Sequence, residues 1–453
     1  MKKLLTWLPG VMTVTLLLLV CAGSALATNG MNVIGFGAVS PAMGGADLAM
    51  VDNATAMNIN PAGICLCKAP ELGVGLSLLM PQLRHEDHVG NAEDGEDKIF
   101  LLPMITYAQP IAGHNLNWGV GIFSQGGMGA EYDGLKTPFA AMGLGSFPGQ
   151  SVPDSDKVFS DVRYIKLTPT LAWHSSDNHL KIGASLNFGY AETKMKYFPN
   201  TSLFLDVNSD GNVSEAGEMA FAGMDLQDLR AIALGYRVGF QYGVGDLRVG
   251  GAYLSRTPLN FDDGSMILNM TAAGLGRVHY DAEMEGFAWP QQAGLGFSYR
   301  LAKNLRIAMD VDWVDWAGAL KTIRVKLSKP SNSAAPAKQT VVFPMDWKEQ
   351  WVFAVGFEYV PVHNLILRFG FNHGNSPVPD STLSPLFPAI TEDHLTAGVG
   401  TRWGKWKADL GVEWALPAEA GNDNPDPQVN PFGVGSEEVH SQILLHMMVR
   451  RSF

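Results

Sequence analysis

One stretch of the chain has the spacing of a metal loop. Asp206, Asn208, Asp210 and Gly211 follow the D-x-N-x-D-G order of calcium loops, and Asn212 can add its backbone carbonyl. The bidentate carboxylate such loops carry at position twelve is displaced, because Gly217 stands there and Glu218 follows. Calcium is one expectation for this segment and a polar Asp-Gly turn is the other; no other cofactor is expected. The acidic run HEDHVGNAEDGEDK, from His85 to Lys98, has no ordered ligand spacing and reads as a solvated loop. Serine, histidine and aspartate are scattered with no motif that arranges a nucleophile beside a base, so no enzyme activity is expected. Two cations, Lys166 and Arg256, are candidates to pair with a ligand carboxylate, and pairing with the chain's own Asp or Glu is the competing reading.

The elements that would position these residues begin after a leader. Met1-Lys2-Lys3 gives a positive start, Val11 to Val20 an apolar core, and Ala25-Leu26-Ala27 a small-residue cleavage site. Residues 1–27 read as a secretory signal peptide cut before Thr28. Cys21 raises a lipoprotein alternative, but Val20 before it is a poor fit to the small residue lipidation needs. The chain carries a net charge of −12, which argues against nucleic acid as a partner. Cys65 and Cys67 stand one residue apart, where a bridge would be strained, so free or loosely paired thiols are expected.

Beyond the leader no apolar run is long enough for a transmembrane helix. The dominant signal is period two. HLKIGASLNFGY, from His179, sets Leu180, Ile182, Ala184, Leu186, Phe188 and Tyr190 against Lys181, Gly183, Ser185, Asn187 and Gly189. WKADLGVEW, from Trp406, and RYIKLTPTLAW, from Arg163, repeat the pattern. Strands are expected near 71–80, 98–109, 116–125, 160–174, 179–198, 229–243, 246–258, 277–300, 304–327, 339–360, 363–373, 391–403, 405–416 and 437–453; Pro290 interrupts the eighth, and reading it as two strands is the alternative, which would break the even parity. Many are long enough for a tilted membrane strand. Trp173, Trp313, Trp316, Trp347, Trp351, Trp403, Trp406 and Trp414 lie toward segment ends, as interfacial girdles require. Tight turns alternate with long connections at 81–97, 126–159, 199–228, 259–276, 374–390 and 417–436. The fold class is therefore all-β: an antiparallel transmembrane barrel of about 14 strands, short turns in the periplasm and long loops outside. The last segment alternates Ser441, Ile443, Leu445, Met447 and Val449 and ends at Phe453, like the signal barrels offer to their assembly machinery. On the inward face, Arg256 shares parity with Arg248, Gly250, Ala252 and Leu254.

AMGGADLAMVDNATAMNINPAGI, from Ala42 to Ile64, resembles the N-terminal hatch of the FadL family, outer-membrane transporters of long-chain fatty acids and hydrocarbons. The strongest match is Asn60-Pro61-Ala62, preceded by Gly44-Gly45-Ala46. GVGIFSQGGMGAEYDG resembles the family's third strand, YLSRTPLNFDD its seventh strand end, and GFNHGNSPVPDSTLSPLFPAITEDHLTAGVG a segment of its hydrocarbon-uptake members. The resemblance implies a hatch over 28–69 plugging a barrel over 70–453, and passive uptake without chemistry. Outer loops would capture an apolar molecule, a lumen pocket would hold it, and a gap in the wall would release it sideways. The gap is attributed to a kink in the third strand, here Phe123, Gly126 and Gly127, against which Asn60-Pro61-Ala62 is expected to lie. Phe139, Met142, Leu144 and Phe147, in a long connection, are candidate ligand contacts. Expected partners are a fatty acid, hydrocarbon or detergent, outer-membrane lipid and lipopolysaccharide, and the assembly machinery, with the barrel a monomer. A polar-solute porin and a barrel hydrolase are the rival readings.

Overall fold

The computed structural model describes residues 29–146, 149–205, 219–426 and 429–453. All of its strands join one antiparallel sheet, closed by pairing of the first strand with the last from Glu71↔Ser452 to Glu86↔Glu437. Fourteen wall strands and one short segment, Ala92–Asp94, which folds back on the first strand, account for it: β1 Glu71–Glu86, β2 Phe100–Pro110, β3 Leu116–Lys136, β4 Ser155–His174, β5 Leu180–Leu205, β6 Met219–Val244, β7 Leu247–Leu254 with Thr257–Met270, β8 Gly276–Trp289 with Gln292–Ala302, β9 Leu305–Val314 with Thr322–Ser328, β10 Lys338–Pro344 with Gln350–Val362, β11 Leu365–Gly374, β12 Asp393–Trp403, β13 Trp406–Asn422 and β14 Ser436–Ser452. Pro290 interrupts β8 without splitting it into two wall strands, because both halves keep β7 on one side and β9 on the other.

The strands outrun the expected ones. β3 has 21 residues, and β5 and β6 have 26 each, so the expected connections 126–159, 199–228 and 259–276 shrink to 137–154, 206–218 and 271–275. The cause is a reversal of polarity along the wall. Toward the short-turn end the outward face is apolar, as in Ile232, Leu234, Tyr236, Val238, Phe240 and Tyr242 of β6. Toward the long-loop end the inward face is apolar and the outward face charged, as in β8, where Val278, Tyr280 and Ala282 are buried and Arg277, His279 and Asp281 exposed. The lower band is what a tilted barrel shows to lipid. Trp118, Trp173, Trp403 and Trp406 edge the band near the short turns, and Trp313, Trp351 and Trp414 edge it on the other side. Trp316 and Trp347 do not join the girdle: they are 0% and 2% exposed and point inward, because β9 and β10 both break beside them.

Residues 29–69 fill the lower lumen with short 3-10 turns, Pro41–Met43, Ala54–Asn58 and Pro61–Leu66. Asn53 and Asn60 cap the second and third by accepting from Thr55 N and Ala62 N. The plug fits because wall glycines leave room for its backbone. A Cβ on Gly183 would lie 2.4 Å from the Pro61 carbonyl carbon, and one on Gly239 would lie 2.3 Å from Asn60 Oδ1. Cys65 and Cys67 are free and buried in the plug. Burial pushes the Cys65 thiol up to about 12, only partly offset by Lys181, and pushes Cys67 well above its usual range. Relative to a thiol of ordinary pKa the thiolate fraction of Cys65 falls about a thousandfold, so maleimide should label the folded barrel only at a trace and the urea-unfolded chain at both sites. Equal labelling of folded and unfolded chain would contradict the packed plug.

Candidate lumen pocket and side gate

β3 pairs with β2 only from Asn117↔Pro110 to Phe123↔Met104. The next backbone contact on that side is Glu96 N donating to Glu131 O, so the ladder is missing along the intervening residues of β3. On its other side β3 stays paired with β4 through a bulge between Ser124 and Gly126. Gly126 has φ +149°, and a Cβ there would lie 2.2 Å from Met31 O, so the position requires glycine. Met31 and Asn32 stopper this gap from inside, with Asn32 forming a β-bridge to Gly126.

The stopper leans on aromatic rings. Asn32 Oδ1 accepts from Trp289 Nε1 at 2.8 Å. Tyr164, Trp289, Trp316 and Trp347 follow each other with ring centroids 4.9, 6.1 and 5.2 Å apart. Local sequence explains the row. Trp289 ends the upper half of β8 just before Pro290, and Trp316 starts the turn Trp316–Ala319, capped by Asp315, which accepts from Gly318 N at 2.8 Å. The row belongs to a large apolar cluster of the upper lumen with Met128, Phe198, Phe261 and Phe287. The connection after β11 folds into the same cluster: Val378, Leu383, Leu386 and Ile390 are buried, and Leu386 O accepts from Ser160 Oγ at 2.6 Å.

The floor below is polar. A cavity of about 60 Å³, room for about four waters, is lined by Asn29, Asn58, Arg237, Asp47, Asp312 and Asn372 among others. Asp310 Oδ2 accepts from Asp47 N at 2.7 Å and Leu48 N at 2.8 Å, fastening the plug to β9. Burial pushes the Asp47 carboxyl up to about 8; the Ser40 hydroxyl, donating to it, pulls down, Asp312 pushes up and Arg237 pulls down. The β11–β1 side of the lumen is also polar. Asp409 bridges Arg368 Nη1 at 2.9 Å and Arg450 Nη2 at 2.7 Å. Glu413 lies between His394 and His446, and His446 Nδ1 is 2.8 Å from Ser77 Oγ.

The expected site residues scatter over this frame. Phe123, Gly126 and Gly127 do lie at the gap. Asn60, Pro61 and Ala62 do not: Asn60 Nδ2 donates to Leu48 O and Phe240 O, and Pro61–Ala62 sit on Gly183, so the segment rests on β5 and β6. The wall glycines there admit its backbone, whereas the bend meets Asn58, through Nδ2 donating to Gln125 Oε1, and Asn32. Lys166 faces Phe123 across β3–β4, 2% exposed, with no hydrogen-bond partner for Nζ among the described residues. Arg256 falls in the break of β7. Inward parity passes there from Leu254 to Thr257, which leaves Arg256 exposed instead of inward. Phe139 packs on Phe221 at 4.9 Å, Leu144 is half-buried and Met142 is 60% exposed. Phe147 and the calcium-like segment Asp206, Asn208, Asp210, Asn212 and Glu218 lie outside the described residues.

The sequence model of the family described as "Outer membrane protein transport protein (OMPP1/FadL/TodX)" matches residues 18–426. No curated protein matches the chain. Among solved structures it is similar to the Ralstonia pickettii toluene transporter TbuX, at 22% identity over 93% of this chain and 99% of that one, with TM-score 0.70. The Pseudomonas putida toluene transporter TodX follows at 18%, covering 93% and 99%, with TM-score 0.71. A Pseudomonas aeruginosa FadL homologue is similar at 16%, covering 95% and 100%, with TM-score 0.70.

Proposed function

The chain belongs to the OMPP1/FadL/TodX family of outer-membrane transport proteins, and on that footing we propose that it takes up small aromatic hydrocarbons and releases them sideways through the gap between β2 and β3. The family comprises transporters, not enzymes, and its channels serve hydrophobic compounds. The single observation that carries the sideways route is the missing ladder above Phe123–Met104, closed by Met31 and Asn32 and not by wall. The neighbouring rings Trp289, Trp316 and Trp347 are buried against one another, and an aromatic solute that parts them would meet aromatic faces. Toluene-class solutes are favoured because the structural relatives include two toluene transporters.

Energetics favour the same exit. Re-exposing an apolar solute to periplasmic water costs roughly 25 cal/mol per Å², and the cavity below the rings is lined largely by polar groups. Transfer into lipid avoids both.

Lys166 supports a second reading. A buried lysine Nζ with no hydrogen-bond partner among the described residues suits a carboxylic acid or carboxylate, hence a fatty acid. Lys166→Met should then weaken oleate binding and leave toluene binding unchanged.

The route is tested by a disulfide between cysteines at Pro103 and Ser124, opposite residues one step beyond the last β2–β3 pair, where Ser124 Oγ already donates to Pro103 O at 3.0 Å. The oxidised, folded barrel should lose toluene uptake, and reductant should restore it. Uptake at the reduced rate while cross-linked would reject the sideways route.

A further inference from the structure

The lipid-facing side of β6–β9 carries a groove of about 860 Å³ that the transport route does not use. Its floor lies where side chains are missing. Two cross-strand rows pass over these strands: Val238, Tyr253, Ala293 and Trp313 in one, and Phe240, Gly251, Leu295 and Val311 in the next. Gly251 and Ala293 are diagonal neighbours in adjacent rows, so the outward surface dips between aromatic and branched walls. A Cβ on Gly251 would come within 2.7 Å of the Phe240 ring and 2.9 Å of Leu295 Cδ2, so both side chains lean over the dip.

The groove is continuous with the apolar band that faces the membrane, so its solvent is lipid tails. Hydrophobic burial gives no preference there, since tails are as apolar as leucine. Retaining one molecule against exchange requires shape and a polar contact. The upper end offers the second. Tyr253 and Trp313 stand at the interfacial row, and Tyr253 Oη donates to Gln291 Oε1 at 2.8 Å. Arg256, three residues beyond Tyr253, is exposed and makes no ion pair among the described residues. A cation at head-group level selects anionic lipid.

We propose that this groove is a binding site for one acyl chain of an anionic membrane lipid, whose head group is held beside Arg256. The full-length barrel in detergent is incubated with equal phosphatidylglycerol and phosphatidylcholine of identical chains and weighed intact by native mass spectrometry. The wild type should keep one phosphatidylglycerol, preferred about fivefold, the selectivity one interfacial cation provides. Gly251→Leu and, separately, Ala293→Leu should fill the dip and lose that adduct, while Arg256→Gln should keep an adduct but lose the head-group preference. Heat-modifiable mobility checks the fold of each variant, and either filled variant that folds suffices. Three results would overturn the proposal: undiminished retention in a folded filled variant, no retained lipid on the wild type, or toluene displacing lipid from the groove.

Discussion

Asp409→Ala should lower the stability of the barrel by about 3–5 kcal/mol, the usual consequence of removing one partner from a buried ion network. Asp409, Arg368 and Arg450 are 2%, 2% and 5% exposed, and the carboxylate is the group that separates the two guanidiniums. Without it Arg368 keeps Glu358, with Nε to Oε2 at 3.1 Å, but Arg450 loses its short contact. The three residues come from β11, β13 and β14, so the loss should be felt where the sheet closes on β1. Urea unfolding followed by heat-modifiable mobility measures it. Arg450→Met in the Asp409→Ala background should recover part of the loss, since it removes the stranded charge. No change in the urea midpoint for Asp409→Ala would mean that water in the adjoining cavity, which Arg368 and Arg450 line, already screens the cluster.

Docking of the plug should weaken as pH rises from about 4 to about 8. Asp47 in the docked plug keeps its proton to about 8, whereas in a released plug it ionises near its ordinary 3.8. Between these values the docked state binds more protons, so the contribution is fully present below the lower value and lost above the upper one. The slope is at most about 1.4 kcal/mol per pH unit. Asp310 and Asp312 from β9, Arg237 from β6 and Ser40 from the plug all face the group. Protease access to residues 29–69 at rising pH reads the docking, and Asp47→Asn should flatten the dependence. An unchanged slope in that variant would place the titration elsewhere.

The barrel was legible because alternation and turn spacing are local properties. Only Pro290 left the strand count open, because the apolar positions switch from even (Val278, Tyr280, Ala282) to odd (Leu295, Phe297, Tyr299) across it, and the shared neighbours β7 and β9 make the two halves one wall strand. The upper halves of β3, β5, β6 and β7 were not legible for a physical reason. Alternation states that one face is apolar, not which face, and outside the lipid band that face turns inward. Val278, Tyr280 and Ala282 therefore look like membrane strand or loop until their neighbours are known. The same ambiguity concealed the pocket. Trp316 and Trp347 share composition and spacing with the girdle tryptophans, and only the breaks in β9 and β10 turn them in. Ser77 lies on the first strand and Glu413 and His446 on the last two, so no short spacing rule could join them. Gly126 was found because a glycine cluster inside a strand signals a bend. Its stopper, Met31–Asn32, was missed because neither residue has a motif around it.

The interruptions of β7, β8, β9 and β10 follow one another around the wall, and in β7 the inward parity is reset across the break. A substitution above that line alters the apolar and aromatic lining of the upper lumen without shifting the register of the ladder below it. Solute preference can thus drift by point mutation while the plug seat stays under constraint. Exchange of the upper segments between related barrels should yield folded hybrids more often than exchange of the lower ones, so the lining above the break line is the part of the scaffold free to diversify.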